Sequence, residues 1–330
     1  MKCRRLGRTG IEVSELVFGC GNVGGLLIRG TPGNMRTAVR QALDAGVNWF
    51  DTAAAYGNGV SEQSLGRILE DIDGTPYIST KLRLNIEQLD DARGEIERLI
   101  AESLQRLGRP CVDLVQLHNP IARETGVRNA IAETELIRLG GVIDALDHVR
   151  DQGLTRFIGM TGLGESESCC RIAKTGRFDT VQVYYNMLNP SAALSMPPHW
   201  TGQNFAGLLD ACKLQDMGVI AIRIMAAGIL ASDVRHGRES VLTSDTDVAS
   251  EQRKARAVFA ALGDSQGTHA QAAIRFVLSN PDITAANIGI AEPAQLDESL
   301  LAVSLGSLPD DVLARLQSLY DTDFDRANWT

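Results

Sequence analysis

The stretch AGVNWFDTAAAYGNGVSEQSLGRIL, residues 45–69, decides the fold. Its first part, VNWFD (47–51), is a short apolar run that closes on a carboxylate. A run this short, with no polar alternation, suits a strand buried on both faces. A loop of small residues carrying Tyr56 follows, and SEQSLGRILEDI then places apolar residues at helical spacing. The stretch is therefore one strand–loop–helix unit, with an acid at the strand end and a phenol in the loop.

The unit recurs roughly every 30–40 residues. Further strand-like runs are SELVFG (14–19), YISTK (77–81), DLVQLH (113–118), RFIGMT (156–161), DTVQVYY (179–185), GVIAIRI (218–224) and AANIGI (285–290), making eight with VNWFD. Helical patterns such as MRTAVRQALDAG, LDDARGEIERLIAESLQRLG, GGVIDALDHVRDQG and NFAGLLDACKLQDMG fill gaps between them, and several end in glycine, a common helix stop. Eight βα units that close on themselves predict an α/β fold, a (β/α)8 TIM barrel. Ahead of them, CRRLGRTGIEVS reads as a hairpin turning at Arg8-Thr9-Gly10, placed to plug the N-terminal end of the barrel. No linker or shift of composition divides the chain, so residues 1–330 are expected to form a single domain. Loops 119–140 and 186–203 and the polar segment 232–250 all follow strand C-termini, where barrel enzymes build their sites.

Composition narrows the partners. The net charge is −9, aromatics are 5%, and Lys and Arg do not cluster, which argues against a nucleic-acid groove or an anionic membrane surface. The start MKCRRLGRTG leads into no apolar run, and GVIAIRIMAAGIL is too short and too interrupted to span a bilayer. Six cysteines without a CxxC pair suggest reduced thiols and a cytoplasmic protein. Neither HxH nor HExxH occurs, so no metal is expected. Oligomeric state stays open.

Four residues carry the chemistry: Asp51, Tyr56, Lys81 and His118, each at or just past the end of a strand-like run. Free tyrosine titrates near pH ~10, too high for an efficient acid at neutrality, and a nearby ammonium lowers that value. Lys81 is the candidate ammonium, Asp51 would hold it charged, and His118 could orient a carbonyl. Taken singly, each has a structural reading: Asp51 as a helix N-cap or loop acid, Tyr56 as a loop aromatic, Lys81 as a solvated strand end, His118 as a satisfied histidine. In order on the second, third and fourth strands, they favour a common site.

These features resemble the aldo-keto reductase family across nearly the whole chain. RRLGRTGIEVSELVFGCG is similar to its opening hairpin and first strand, 45–69 to its most specific stretch, and ISTK and VQLH follow in register. The resemblance implies an NAD(P)-dependent oxidoreductase moving hydride between nicotinamide and a small aldehyde, ketone, polyol or sugar. Tyr56 would be the general acid/base, Lys81 and Asp51 would tune it, and His118 would polarise or orient the carbonyl.

It also implies cofactor contacts. Thr161 matches a serine or threonine near the nicotinamide amide, although Gly162 replaces the usual asparagine. Gln182 matches an amide-binding glutamine, or is a polar residue at the barrel rim. Arg223 stands where many members stack an aromatic ring, and could stack, meet a phosphate or pair with an acid. Ile224, Ala226 and Gly228, in the run that continues from it, fall in the loop that wraps the pyrophosphate. Glu292, Gln295 and Ser299 lie in the adenosine-binding segment. That segment, NIGIAEPAQLDESL, lacks the Lys or Arg of NADP-specific members, so NAD is expected to serve at least as well as NADP. Alternatively, Glu292 with Pro293 simply starts a helix.

One motif and one function compete with this reading. Gly19-Cys20-Gly21-Asn22-Val23-Gly24 matches the dinucleotide fingerprint GxGxxG. There the helix should open within the glycines, but Gly30, Pro32 and Gly33 delay it here to about Asn34. The competing function is a cofactor-sensing regulatory subunit with little turnover. Trp200 and Trp329 could wall a substrate pocket or pack locally.

Overall fold

The computed structural model describes all residues except Asp73, Asp233, His236, Arg238, Ser244 and 325–330, so Trp329 lies outside the described residues. Two short antiparallel strands, β1 (Cys3–Arg5) and β2 (Glu12–Ser14), precede the barrel. Its strands are β3 (Leu16–Gly19), β4 (Trp49–Asp51), β5 (Tyr77–Leu82) and β6 (Val112–Leu117), then, after the small pair β7 (Ile121–Ala122) and β8 (Ile131–Ala132), β9 (Thr155–Gly162), β10 (Thr180–Tyr184), β11 (Gly218–Ile222) and β12 (Ala285–Gly289). Every barrel pairing is parallel, and β12 closes on β3. The helices are α1 (Leu26–Arg29), α2 (Pro32–Asp44), α3 (Val60–Glu70), α4 (Ala92–Leu107), α5 (Glu133–Ile137), α6 (Val142–Asp151), α7 (Ser166–Lys174), α8 (Leu208–Leu214), α9 (Val248–Leu262), α10 (His269–Leu278), α11 (Pro293–Ser304) and α12 (Asp310–Asp321). This is the expected (β/α)8 TIM barrel.

Local chemistry sets the helix starts. Thr31 accepts from the Asn34 amide ahead of Pro32, Asp91 accepts from Gly94, and Thr268 with Gln271 forms a reciprocal cap on α10. α2 starts at Pro32, two residues ahead of the expected Asn34, and α1 arises inside LLIRG, where the glycines and Pro32 read as breakers. Burial of Leu26 and Leu27 in the core stabilises that single turn. Ser14, assigned from sequence to the first barrel strand, belongs to β2. The chain turns at Glu15, which Arg4 holds by an ion pair at 2.8 Å.

The hairpin does plug the barrel floor. Leu6, Ile11 and Val13 pack with Val17, Trp49, Leu114, Ile220 and Ala285, which sit early in their strands. Each fully buried aliphatic side chain contributes about 1.5–3 kcal/mol. Gly7 is required there twice over: its φ is +49°, and an added Cβ would lie 2.3 Å from Gly218 N.

Strand register determines what meets at the other end. Asp51 pairs with Gly19 and Ser79, Lys81 with Gln116, and Gln182 with Thr161. The carboxyl ends of neighbouring strands thus carry a carboxylate, an ammonium and amides inward at similar heights.

Candidate active site

The strand ends converge on Asp51, which is 1% exposed. Lys81 Nζ donates to Asp51 Oδ2 at 2.5 Å, to the Thr52 carbonyl at 2.8 Å and to Tyr56 Oη at 3.3 Å. The ammonium also lies 4.8 Å from the centre of the Tyr56 ring. His118, just past β6, meets that ring edge-on at 5.8 Å between centroids. The sequence-predicted four are therefore assembled in one place.

Three further donors crowd Asp51 and were not anticipated. Ser79 Oγ (2.7 Å) and Gln116 Nε2 (3.2 Å) donate to Oδ1, and Asn287 Nδ2 (2.7 Å) donates to Oδ2. Gln182 Nε2 also donates to Oδ1, at 2.9 Å. With Lys81, the carboxylate accepts five bonds, all of them donors matched to its ionised form. The sequence held a signal: a lone polar residue inside a strand buried on both faces must point into the barrel. Ser79 and Lys81, like Gln116 and His118, share one face by alternation.

Burial pushes the Tyr56 phenol above its ordinary value of 10; Lys81 pulls it back only in part, and Asp51 pushes it further up. The expected lowering by Lys81 is outweighed by desolvation of the phenolate. Burial also works against the Lys81 ammonium, yet the attractions of Asp51 and Tyr56 leave it above its ordinary range. His118 is driven down to about 3 by burial first, then by Lys81 and Arg83. Its imidazole is therefore neutral at physiological pH, and its buried Nδ1 has no hydrogen-bond partner.

The expected cofactor positions fall into groups. Thr161 donates to the Leu117 carbonyl, next to His118. Arg223 adopts a left-handed backbone (φ +61°), donates to the Ser240 carbonyl, and leaves a buried Nε without a partner. Ala226 and Ala227 repeat that backbone sense at +45° and +58°, and Gly228 follows at +100°. Ile224 and Ala226 bury their side chains in the core, so they offer only backbone to a ligand. Glu292 is exposed at the N-cap of α11, with Pro293 first in the helix. Gln295 accepts from the Ala291 amide, and buried Ser299 donates to the Gln295 carbonyl. Trp200 packs on Phe324 under the Lys254 ammonium. Among the described residues no group of three or more His, Cys, Asp or Glu side chains could hold a metal ion. No helix of the described residues is long and apolar enough to cross a membrane. The six cysteines are free.

That fold and that cluster define a class: (β/α)8 barrels that keep their ionisable groups at the carboxyl ends of the strands. Residues 15–321 match the model of the aldo/keto reductase family. An L-galactose dehydrogenase of Arabidopsis thaliana is 26% identical over 97% of this chain and 95% of its own length. A D-threo-aldose 1-dehydrogenase of a Pseudomonas species is 28% identical over 67% of this chain and 69% of its own length. The holo form of the aldo-keto reductase AKR11C1 from Bacillus halodurans superposes over 100% of both chains with a TM-score of 0.72, at 20% identity, a likeness of fold. The chain belongs to the aldo/keto reductase family and is an oxidoreductase.

Proposed function

We propose that this protein moves hydride between NAD or NADP and the carbonyl or alcohol carbon of a small sugar or related aldehyde, with Tyr56 exchanging the proton. The observation that carries the reading is the Lys81 ammonium bonded both to Asp51 and to Tyr56 Oη. When bound, the nicotinamide supplies or accepts the hydride. Tyr56 gives its proton to the carbonyl oxygen in reduction and takes one from the hydroxyl in oxidation, and Lys81 stabilises the phenolate left between them. Asp51 is a positioning residue that fixes Lys81. His118, neutral, directs a ring N–H at the substrate oxygen and orients it without adding charge. The sugar assignment draws on the aldose dehydrogenases among the relatives.

The mouth suits a dinucleotide. Arg223 Nε is buried without a partner, and the left-handed backbone at Arg223, Ala226, Ala227 and Gly228 folds that segment into a tight turn over the barrel mouth, held by Ala226 and Gly228 amides donating to the Arg223 and Met225 carbonyls. Gly21 lies directly beside Tyr56: a Cβ there would be in ordinary contact with the phenol ring, at 3.5 Å. On this reading Thr161 and Gln182 line the nicotinamide end, Ile224, Ala226 and Gly228 the pyrophosphate, and Glu292, Gln295 and Ser299 the adenosine. With Glu292 exposed and no Lys or Arg between Ala285 and Ser299, NAD should serve at least as well as NADP. We also read the cytoplasm as its compartment, on its six free thiols.

The test is a cofactor-absorbance screen over aldoses, simple aldehydes and ketones in both directions, with Tyr56→Phe as control. Turnover on an aldose or aldehyde, abolished in Tyr56→Phe with cofactor binding retained, is expected. Unchanged kcat in Tyr56→Phe refutes the proton role. Negligible turnover together with a stoichiometric partner on pull-down would favour a cofactor-sensing subunit instead.

A further inference from the structure

We propose that Asn287 is a positioning residue for proton exchange at Tyr56, acting through Asp51 to set how firmly that carboxylate holds the Lys81 ammonium. The proposal rests on the oxidoreductase reading above. Asn287 lies on β12, two strands away from β4, and its Nδ2 reaches Asp51 Oδ2 at 2.7 Å. Lys81 donates to the same oxygen at 2.5 Å. The other oxygen already accepts from Ser79, Gln116 and Gln182. A carboxylate offers about four lone-pair sites, so five donors saturate it and those on one oxygen compete.

Asn287 is built into this position. Only its amide nitrogen can face a carboxylate oxygen, which fixes its orientation. Its amide oxygen then fills the space of a missing side chain: a Cβ on Gly19 would lie 2.4 Å from Asn287 Oδ1. Gly19 is the register partner of Asp51 on β3, so one glycine makes room for the contact between β12 and β4. Asn287 quenches part of the negative charge on Oδ2. The ammonium is drawn less completely toward Asp51, and more of its field falls on Tyr56 Oη at 3.3 Å.

In Asn287→Leu, similar in size but without a donor, Asp51 Oδ2 belongs to Lys81 alone. The phenol should hold its proton more tightly. Alcohol oxidation at pH 8 should then fall about tenfold in kcat, one net hydrogen bond's worth, with KM and cofactor affinity unchanged. The alkaline limb of the profile should move to higher pH. Asn287→Asp keeps the shape but sets two carboxyl groups together, which share one proton. That variant should approach wild-type rates at acidic pH, where the shared proton restores the donor, and collapse as the pH rises.

Tyr56 ionisation is followed independently by NMR of ring-carbon-labelled tyrosine, with Tyr56→Phe to assign the signal and no substrate present. A move of the Tyr56 titration to higher pH in Asn287→Leu is expected. Should that variant fail to fold, the pH-conditional activity and Tyr56 titration of Asn287→Asp decide the matter. A folded variant with an unchanged Tyr56 titration and an unchanged pH profile overturns the proposal and leaves Asn287 a packing residue. If wild type turns over no substrate, the oxidoreductase reading fails, while the NMR titration still decides the role of Asn287.

Discussion

Lys81→Met, Asp51→Asn and the double variant separate what the buried ammonium does for stability from what it does for chemistry. Both side chains of the pair are 1% exposed. In Lys81→Met the Asp51 carboxylate keeps four neutral donors and loses the cation bonded to it. Breaking a buried pair by removing one partner costs about 3–5 kcal/mol. Asp51→Asn should cost a similar amount. Its new oxygen can serve the three donors that met Oδ1, but its NH2 then faces the Lys81 ammonium and the Asn287 amide, donor against donor. The double variant relieves both conflicts: the ammonium is gone, and Asn287 can flip to present its oxygen. What remains is the loss of a donor to the Thr52 carbonyl and to Tyr56 Oη, about 1–3 kcal/mol in total. Summed singles would reach about 6–10 kcal/mol, so a coupling of about 3 kcal/mol or more is expected. Urea denaturation followed by tryptophan fluorescence suits the measurement, because the Trp49 indole donates to Ser79 Oγ, which itself donates to Asp51. Turnover should be absent in Lys81→Met and in the double variant, which have no cation beside the phenol, and strongly reduced in Asp51→Asn, where the ammonium loses the carboxylate that fixes it. A Lys81→Met protein within 1 kcal/mol of wild type on the same urea scale, or a double variant that regains turnover, would refute the reasoning.

The raised Tyr56 value makes the two reaction directions respond oppositely to pH. Reduction uses the protonated phenol and should stay level through neutrality, declining only as the phenol ionises; oxidation needs the base form and should climb steadily into the alkaline range in kcat profiles. His118, at about 3 when folded and ~6.5 when unfolded, binds fewer protons in the native state between those values. Its contribution is complete above pH 6.5 and is lost as the pH falls toward 3. For this partly exposed ring, screening leaves about 1 kcal/mol lost by pH 5, checked by comparing the pH dependence of unfolding with that of His118→Gln. Buried Glu62 accepts from Thr80 Oγ1 at 2.5 Å and from Arg106 Nε at 2.6 Å. Glu62→Gln should therefore lower stability by about 3 kcal/mol in denaturation, with turnover per folded molecule unchanged.

The barrel was legible because parallel strands covered by helices on one side and packed interior on the other leave continuous apolar runs. All eight runs became strands, with ends displaced where polar neighbours intervened. Ser14 went to the hairpin, and VNWFD contributed only Trp49–Asp51. The four site residues were legible for a different reason. Strand C-termini share one rim, so Asp51, Lys81 and His118, far apart in the chain, had to be near one another if the barrel closed. Loop 119–140 was less readable: its pair β7 and β8 and the single turn α5 rest on side chains such as Ile121, Ile131 and Leu136, buried against the body of the protein rather than by any period of their own.

What stayed hidden was the second layer of the site. Alternation tells which face of a strand a residue occupies, so Gln116, Gln182 and Asn287 could each be placed inside the barrel. It does not tell which of them meet across the interior, because that depends on how far each strand is staggered when the sheet closes. Gln182 shows the consequence. Read from its motif, it serves a nicotinamide amide; in the folded chain its nitrogen donates to Asp51, on a strand four places away, directly across the barrel. The two roles are compatible only if its oxygen faces the ligand while its nitrogen stays on the carboxylate. Replacing it with glutamate would put a second carboxylate against Asp51 and should disturb Lys81 and Tyr56 before it touches cofactor binding.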